Sequence, residues 1–207
     1  MYIPQHYQNT NQEELVSFIK EHPFGILVTQ AQGAPWATHL PFVIKGDEEN
    51  GYSLVSHLSK ANKQWEHFEN QEEVLVIFNG PQHYISSSWY KEEEVPTWDY
   101  IAIHAYGSIQ IMDEACLKKA LHELVQTHEK EEKNPVDLSK MSPHTQAQHR
   151  GVIGFSININ KLEGAYKLSQ TRKEDHPEII RELENKKSPQ AKAMADAIKK
   201  EAGKNNK

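Results

Sequence analysis

The chain has 207 residues, enough to bury a real core, and its length fits one domain with appendages. Its formal charge is −6 and its aromatic content is ordinary, which argues against a protein that coats nucleic acid. A lone Cys116 cannot form an internal disulfide, and no apolar run reaches the length of a signal peptide or a membrane span, so a cytoplasmic protein without a membrane contact is expected.

Thr10 and Glu13 have capping-box spacing, and Leu15, Phe18 and Ile19 follow on one helical face, which predicts a first helix to about His22. Phe24 to Thr29 reads as a strand, Gln30 to Pro35 as a turn around Gly33, and Trp36 to Ile44 as the returning strand of an antiparallel hairpin. Thr38 and His39 are its polar exceptions; taken alone, His39 reads most simply as a satisfied or solvent-facing strand histidine. A third strand, Gly51 to Ser56, leads into a predicted helix with Ser59 as N-cap and Lys60 and Lys63 in its first turns. Cations there oppose the helix dipole unless an anion is bound; two ordinary surface lysines are the competing reading.

Val74 to Phe78 is a buried strand by composition, Asn79-Gly80-Pro81 predicts a turn, and His83 to Ser86 a second strand. After it come Ser86-Ser87-Ser88-Trp89-Tyr90, an acidic loop Glu92-Glu93-Glu94, and Val95-Pro96-Thr97-Trp98-Asp99-Tyr100. A long strand then runs to Ile111, with a break expected at Gly107. Two tryptophans and two tyrosines crowded at strand ends make either an aromatic core corner or the wall of a pocket for a flat ring.

Asp113 caps a predicted helix with Leu117, Ala120, Leu121, Leu124 and Val125 as its apolar stripe. His122 and His128 are six residues apart and cannot share a helical face as metal ligands, so no metal is expected. Residues 130–150 are a polar connection, Gly151 to Ile159 a strand, and Lys161 to Arg172 a segment whose end gathers two cations and two small polar groups suited to an anion or a polar ring edge. Asp175 and Pro177 open a helix through Glu184, and Ser188-Pro189 opens the last one, with Ala191, Met194, Ala195 and Ile198 as a weak stripe. Residues 186–207 carry seven lysines against Asp196 and Glu201, a charge of +5 that leaves −11 for residues 1–185. That end reads more simply as a solvated helix face and frayed terminus than as a DNA contact.

Helices set among six or so antiparallel strands suit a mainly β fold with α elements, a small closed barrel. Several motifs then resemble the PaiB family, described as FMN-binding negative transcriptional regulators linked to repression of protease synthesis and sporulation. They are Ala37-Thr38-His39-Leu40-Pro41, His57-Leu58-Ser59-Lys60-Ala61-Asn62, Tyr84 to Tyr90, Val95 to Tyr100, and Lys167-Leu168-Ser169-Gln170-Thr171-Arg172, in order between Met1 and about Glu184. The sequence departs from the family pattern at Ser87, where proline is usual, and at Asp99, where asparagine is usual.

The resemblance implies a six-stranded antiparallel split barrel of the pyridoxamine-phosphate-oxidase type over residues 1–172 and a helical extension with the Lys-rich tail over 173–207. It also implies FMN as cofactor and a homodimer with the flavin between subunits. On it Ser59 and Lys60 hold the phosphate with Lys63 in support, Thr38 and His39 line the ring, and Trp89, Thr97, Trp98 and Tyr100 wall it. Lys167, Gln170 and Arg172 reach in from the later segment. No catalytic residue is assigned. An FMN-dependent oxidoreductase acting on a small molecule is the alternative, and a haem-handling barrel is a third reading encouraged by twelve histidines. Direct DNA contact, if any, falls to the Lys-rich tail.

Overall fold

A computed structural model describes residues 1–71 and 73–204. The strands are β1 Gln8–Asn9, β2 Phe24–Ala31, β3 Ala34–Pro41, β4 Val43–Asp47, β5 Gly51–Ser59, β6 Val74–Ile85, β7 Thr97–Ile111 and β8 Val152–Lys167. The helices are α1 Gln12–Glu21, α2 Glu114–Glu129, the single turn α3 Pro143–Gln146, α4 His176–Asn185 and α5 Pro189–Lys204. The sheet runs β3-β2-β6-β7-β8-β5-β4, and β1 adds to β8. Among the described residues the strands number eight rather than six, and because the path has two ends and does not close on itself, the barrel is split rather than closed.

Several local expectations shift by physically readable amounts. Asn11, not Thr10, caps α1, its Oδ1 accepting from the Glu14 N–H at 3.0 Å. The returning strand stops at Pro41, and Val43–Asp47 leaves as β4 to pair with β5. Asn79-Gly80-Pro81 does not reverse the chain and lies inside β6. The pairing of β2 with β6 ends at Ile77, so the N–H that Pro81 lacks is not needed on that side. Gly107 does not interrupt β7; a Cβ there would lie 2.1 Å from the Asn158 carbonyl oxygen, so the residue is glycine because β7 and β8 run too close for a side chain. Residues 161–167 continue β8 rather than forming a separate segment.

The chain divides into two compact units. One comprises Met1–Leu15, Asn79–His104 and Glu163–Lys207, the other Val16–Phe78 and Ala105–Leu162. In the second, Phe42 meets Phe78 and Phe155 edge-on at ring separations of 5.6 and 6.3 Å, and Phe68 meets Phe155 at 5.2 Å. All four rings are buried and form the centre of that unit's core. In the first unit, Ile85, Ile101, Ile103 and Leu168 are buried, as are Ile179 and Leu183 of α4 and Ala191, Met194, Ala195 and Ile198 of α5. The last helix is therefore a packed element: α5 lies against α4, and Ser188 Oγ caps it by accepting from the Ala191 N–H at 3.2 Å.

Candidate functional site

The residues expected to bind FMN fall into both units. Thr38, His39, Ser59, Lys60 and Lys63 belong to the second; Trp89, Thr97, Trp98, Tyr100, Lys167, Gln170 and Arg172 belong to the first.

In the second unit, β5 continues through Ser59, a turn follows over residues 60–62, and a 3₁₀ helix covers Lys63–Asn70. Asn62 rather than Ser59 is the cap, its Oδ1 accepting from the Gln64 N–H at 3.1 Å. The strand outruns the expected start of the helix because β5 pairs with β8 as far as Ser59 opposite Val152, and the Lys60 N–H then donates to the Gly151 carbonyl at 2.9 Å. Ser59 Oγ accepts from the Ala61 N–H at 3.2 Å, which leaves its own proton to donate. Asn62 Nδ2 donates to Thr38 Oγ1 at 2.9 Å and ties the turn to β3. Below it Gln64 is fully buried, and its Nε2 donates to Thr29 Oγ1 at 3.0 Å and to the Trp36 carbonyl at 3.2 Å.

This corner fits an anion through its donors. The Lys60 side chain is exposed and makes no ion pair among the described residues, while Lys63 is paired with Glu66 at 2.7 Å on the surface, where such pairs exchange readily. Thr38 faces the corner. The two-residue period of β3 sends His39 to the opposite face, where its ring stacks on exposed Phe24 at 6.2 Å.

In the first unit, a cavity of about 180 Å³ has Thr97, Lys167 and Arg172 in its wall together with Tyr7, Tyr90 and Asp99. Pairing of β1 with β8 brings Tyr7 beside Lys167, whose ammonium is 5.8 Å from the ring. Lys167 Nζ donates to Thr97 Oγ1 and, at 2.8 Å, to the Trp98 carbonyl, and it stands 3.8 Å from Asp99 Oδ1. Arg172 is held between Glu94 and Asp175 and lies over the Tyr90 ring at 4.5 Å. Ser169 adopts φ +55° at the turn after β8, where its hydroxyl donates to Asp99 Oδ2 at 2.6 Å and its carbonyl accepts from His176 Nε2 at 2.9 Å. Gln170 spends its amide on the Leu168 N–H and the Tyr166 carbonyl, so it shapes the turn rather than facing a ligand.

The electrostatics follow from enclosure. Burial pushes the Asp99 carboxyl above its usual range, against the opposing pulls of the Ser169 hydrogen bond and Lys167. Burial lowers the Lys167 ammonium, with Asp99 holding it back. The phenols of Tyr7 and Tyr90 are raised by burial and then by the nearby Asp99.

The remaining expected residues lie apart from this cavity's wall. Trp98 is half exposed, meets Tyr84 edge-on at 6.1 Å and donates from Nε1 to Gln82 Oε1 at 2.5 Å. Trp89 lies beneath the Lys186 ammonium at 5.2 Å. Tyr7, Tyr90, Glu94 and Asp99 were not among the expected site residues. Alternation offered a signal for Asp99, since Thr97 and Asp99 share one face of β7 while Trp98 takes the other.

Residues 1–161 match the family described as "Putative FMN-binding domain". The chain is 42% identical over 200 residues to "Protease synthase and sporulation protein PAI 2" of Bacillus subtilis (strain 168), covering 96% of each chain. Among solved structures, the flavocytochrome Anf3 from Azotobacter vinelandii aligns with a TM-score of 0.63 at 15% identity, over 80% of this chain and 72% of that one. The FAD and heme binding protein from Mycobacterium smegmatis aligns with a TM-score of 0.61 at 14% identity, over 78% and 73%. At those identities the two structures establish a shared fold, the split barrel. The chain therefore belongs to the FMN-binding domain family to which residues 1–161 match, and its cofactor is FMN.

Proposed function

We propose that the protein is a cytoplasmic, homodimeric FMN-binding regulator that represses genes of protease synthesis and sporulation. The observation that carries this reading is the 42% identity, sustained over 96% of both chains, to a relative named for protease synthesis and sporulation. When bound, FMN supplies one- or two-electron redox chemistry. The residues at the β5 turn support a defined role in holding it. The Lys60 ammonium and the Ser59 hydroxyl are open donors for its phosphate, Lys63 stands in reserve beside Glu66, and the Thr38 hydroxyl can donate to the same ligand.

DNA contact falls to the Lys-rich end. There Lys199 pairs with Glu184 at 2.5 Å and Lys204 with Glu14 at 2.7 Å, whereas Lys187 and Lys192 make no ion pair among the described residues. Lys207 lies outside the described residues. The test is a mobility shift on protease-gene promoter DNA with the FMN-loaded full chain, beside a variant with Lys187 and Lys192 both changed to glutamate. Retardation by the parent, weakened at least about tenfold in the double variant as phosphate contacts are lost, is expected. No retardation together with FMN-dependent oxidation of NADH or NADPH would replace the regulator with an oxidoreductase.

A further inference from the structure

Hydrogen-bond accounting in the first-unit cavity is lopsided. Arg172 is engaged by two carboxylates and by the face of Tyr90. Lys167 donates to Thr97 and to the Trp98 carbonyl and leans toward Asp99. Both cations are spoken for. The acceptors are not: Asp99 is fully buried, yet its Oδ1 has no hydrogen-bond partner, and the buried Tyr90 hydroxyl has none either. Buried polar atoms are seldom left in this condition unless something else completes them.

Charge points the same way. Glu94, Asp99 and Asp175 stand against Lys167 and Arg172, an excess of one negative charge, with His176 behind Ser169 and the phenols of Tyr7 and Tyr90 as the other titratable groups near Asp99. A phosphate or carboxylate entering here meets two cations already bonded to oxygen and a carboxylate that repels it. A cation finds an open acceptor.

We propose that this cavity is a binding site for a small primary ammonium compound, whose N–H groups are taken by Asp99 Oδ1 and the Tyr90 hydroxyl. Two acceptors suit a primary ammonium, which offers three donors. The cavity's volume of about 180 Å³ leaves room for a short alkyl chain, and Val95, 70% exposed at its wall, supplies an apolar surface for it. The raised carboxyl of Asp99 agrees with a group enclosed without full compensation. This site goes beyond the FMN reading and does not rest on it.

The test titrates the full chain with n-butylammonium chloride, sodium butyrate and inorganic phosphate, followed by calorimetry and by shifts of assigned amide resonances. Butylammonium is expected to bind and to move the resonances of Tyr90, Asp99 and Ser169, with Asp99→Asn weakening it at least about tenfold, the loss of one charge-assisted hydrogen bond. Should Asp99→Asn fail to fold, Tyr90→Phe, which keeps the ring and removes only the hydroxyl, serves instead and is expected to weaken binding by about threefold or more. Butylammonium that does not bind, that binds equally well to the variants, or that is outcompeted by butyrate or phosphate overturns the proposal. These titrations contain no FMN, so the flavin reading at the Ser59–Lys60 turn stands or falls by its own test.

Discussion

Replacing Phe155 with alanine is expected to destabilise the protein by about 3–5 kcal/mol, the range for deleting a fully buried aromatic ring. Phe155 has no solvent exposure and meets Phe42 and Phe68 edge-on, at 6.3 and 5.2 Å. Those neighbours belong to different elements, the link between β3 and β4 and the 3₁₀ helix after the Lys60 turn, so removing the ring leaves a hole that no single side chain can collapse into. The loss is read as a lower urea midpoint at unchanged slope. A loss below about 1 kcal/mol would mean that the four phenylalanines are not this unit's core.

Gln64→Ala is expected to cost about 2–4 kcal/mol through a different cause. Its amide donates to Thr29 and to the Trp36 carbonyl, and in the variant both acceptors lose a buried partner while the side chain leaves a void. Gln64 also follows Asn62, whose side chain ties the turn to Thr38, so FMN affinity is expected to fall with stability. Gln64→Glu separates the two effects, because it keeps the volume and removes the donor. If Gln64→Glu matches the parent in both stability and FMN affinity, the amide is not what holds the corner. The two replacements probe one structure from opposite directions: Phe155 supports the 3₁₀ helix by packing, and Gln64 anchors its first turn by hydrogen bonds.

Much of this frame was legible from residue pattern, and the misses have definite causes. Strand-like composition gave β2, β5 and the start of β8, alternation gave β7, and the α2 cap at Asp113 is as expected, its Oδ1 accepting from the Cys116 N–H at 2.7 Å. Local turn preference predicts a reversal at Pro81 because it carries no information about which edge of a strand is paired. Ser59 reads locally as a helix cap because nothing nearby in sequence announces the β5 pairing of Ser59 with Val152. The same distance hid the acids of the first-unit cavity. Lys167 and Arg172 read as two cations close together, yet Thr97, Asp99 and Glu94, which engage them, come from 68 to 78 positions away, and Asp175 alone of their partners among the described residues is near in sequence. Residue pattern brings Lys167 and Arg172 together in one segment but carries no sign of the carboxylates that face them.

In the proposed function the Ser59–Lys60 turn holds the phosphate of FMN. It is tested most directly by titrating FMN and riboflavin, followed by flavin fluorescence, into the parent protein and Lys60→Ala. The exposed Lys60 side chain makes no ion pair among the described residues, so its removal leaves the fold intact. The parent should prefer FMN over riboflavin by at least about tenfold, or 1.4 kcal/mol, and the variant should lose that preference while binding riboflavin as before. A variant that still prefers FMN by the parent's margin would contradict the assignment.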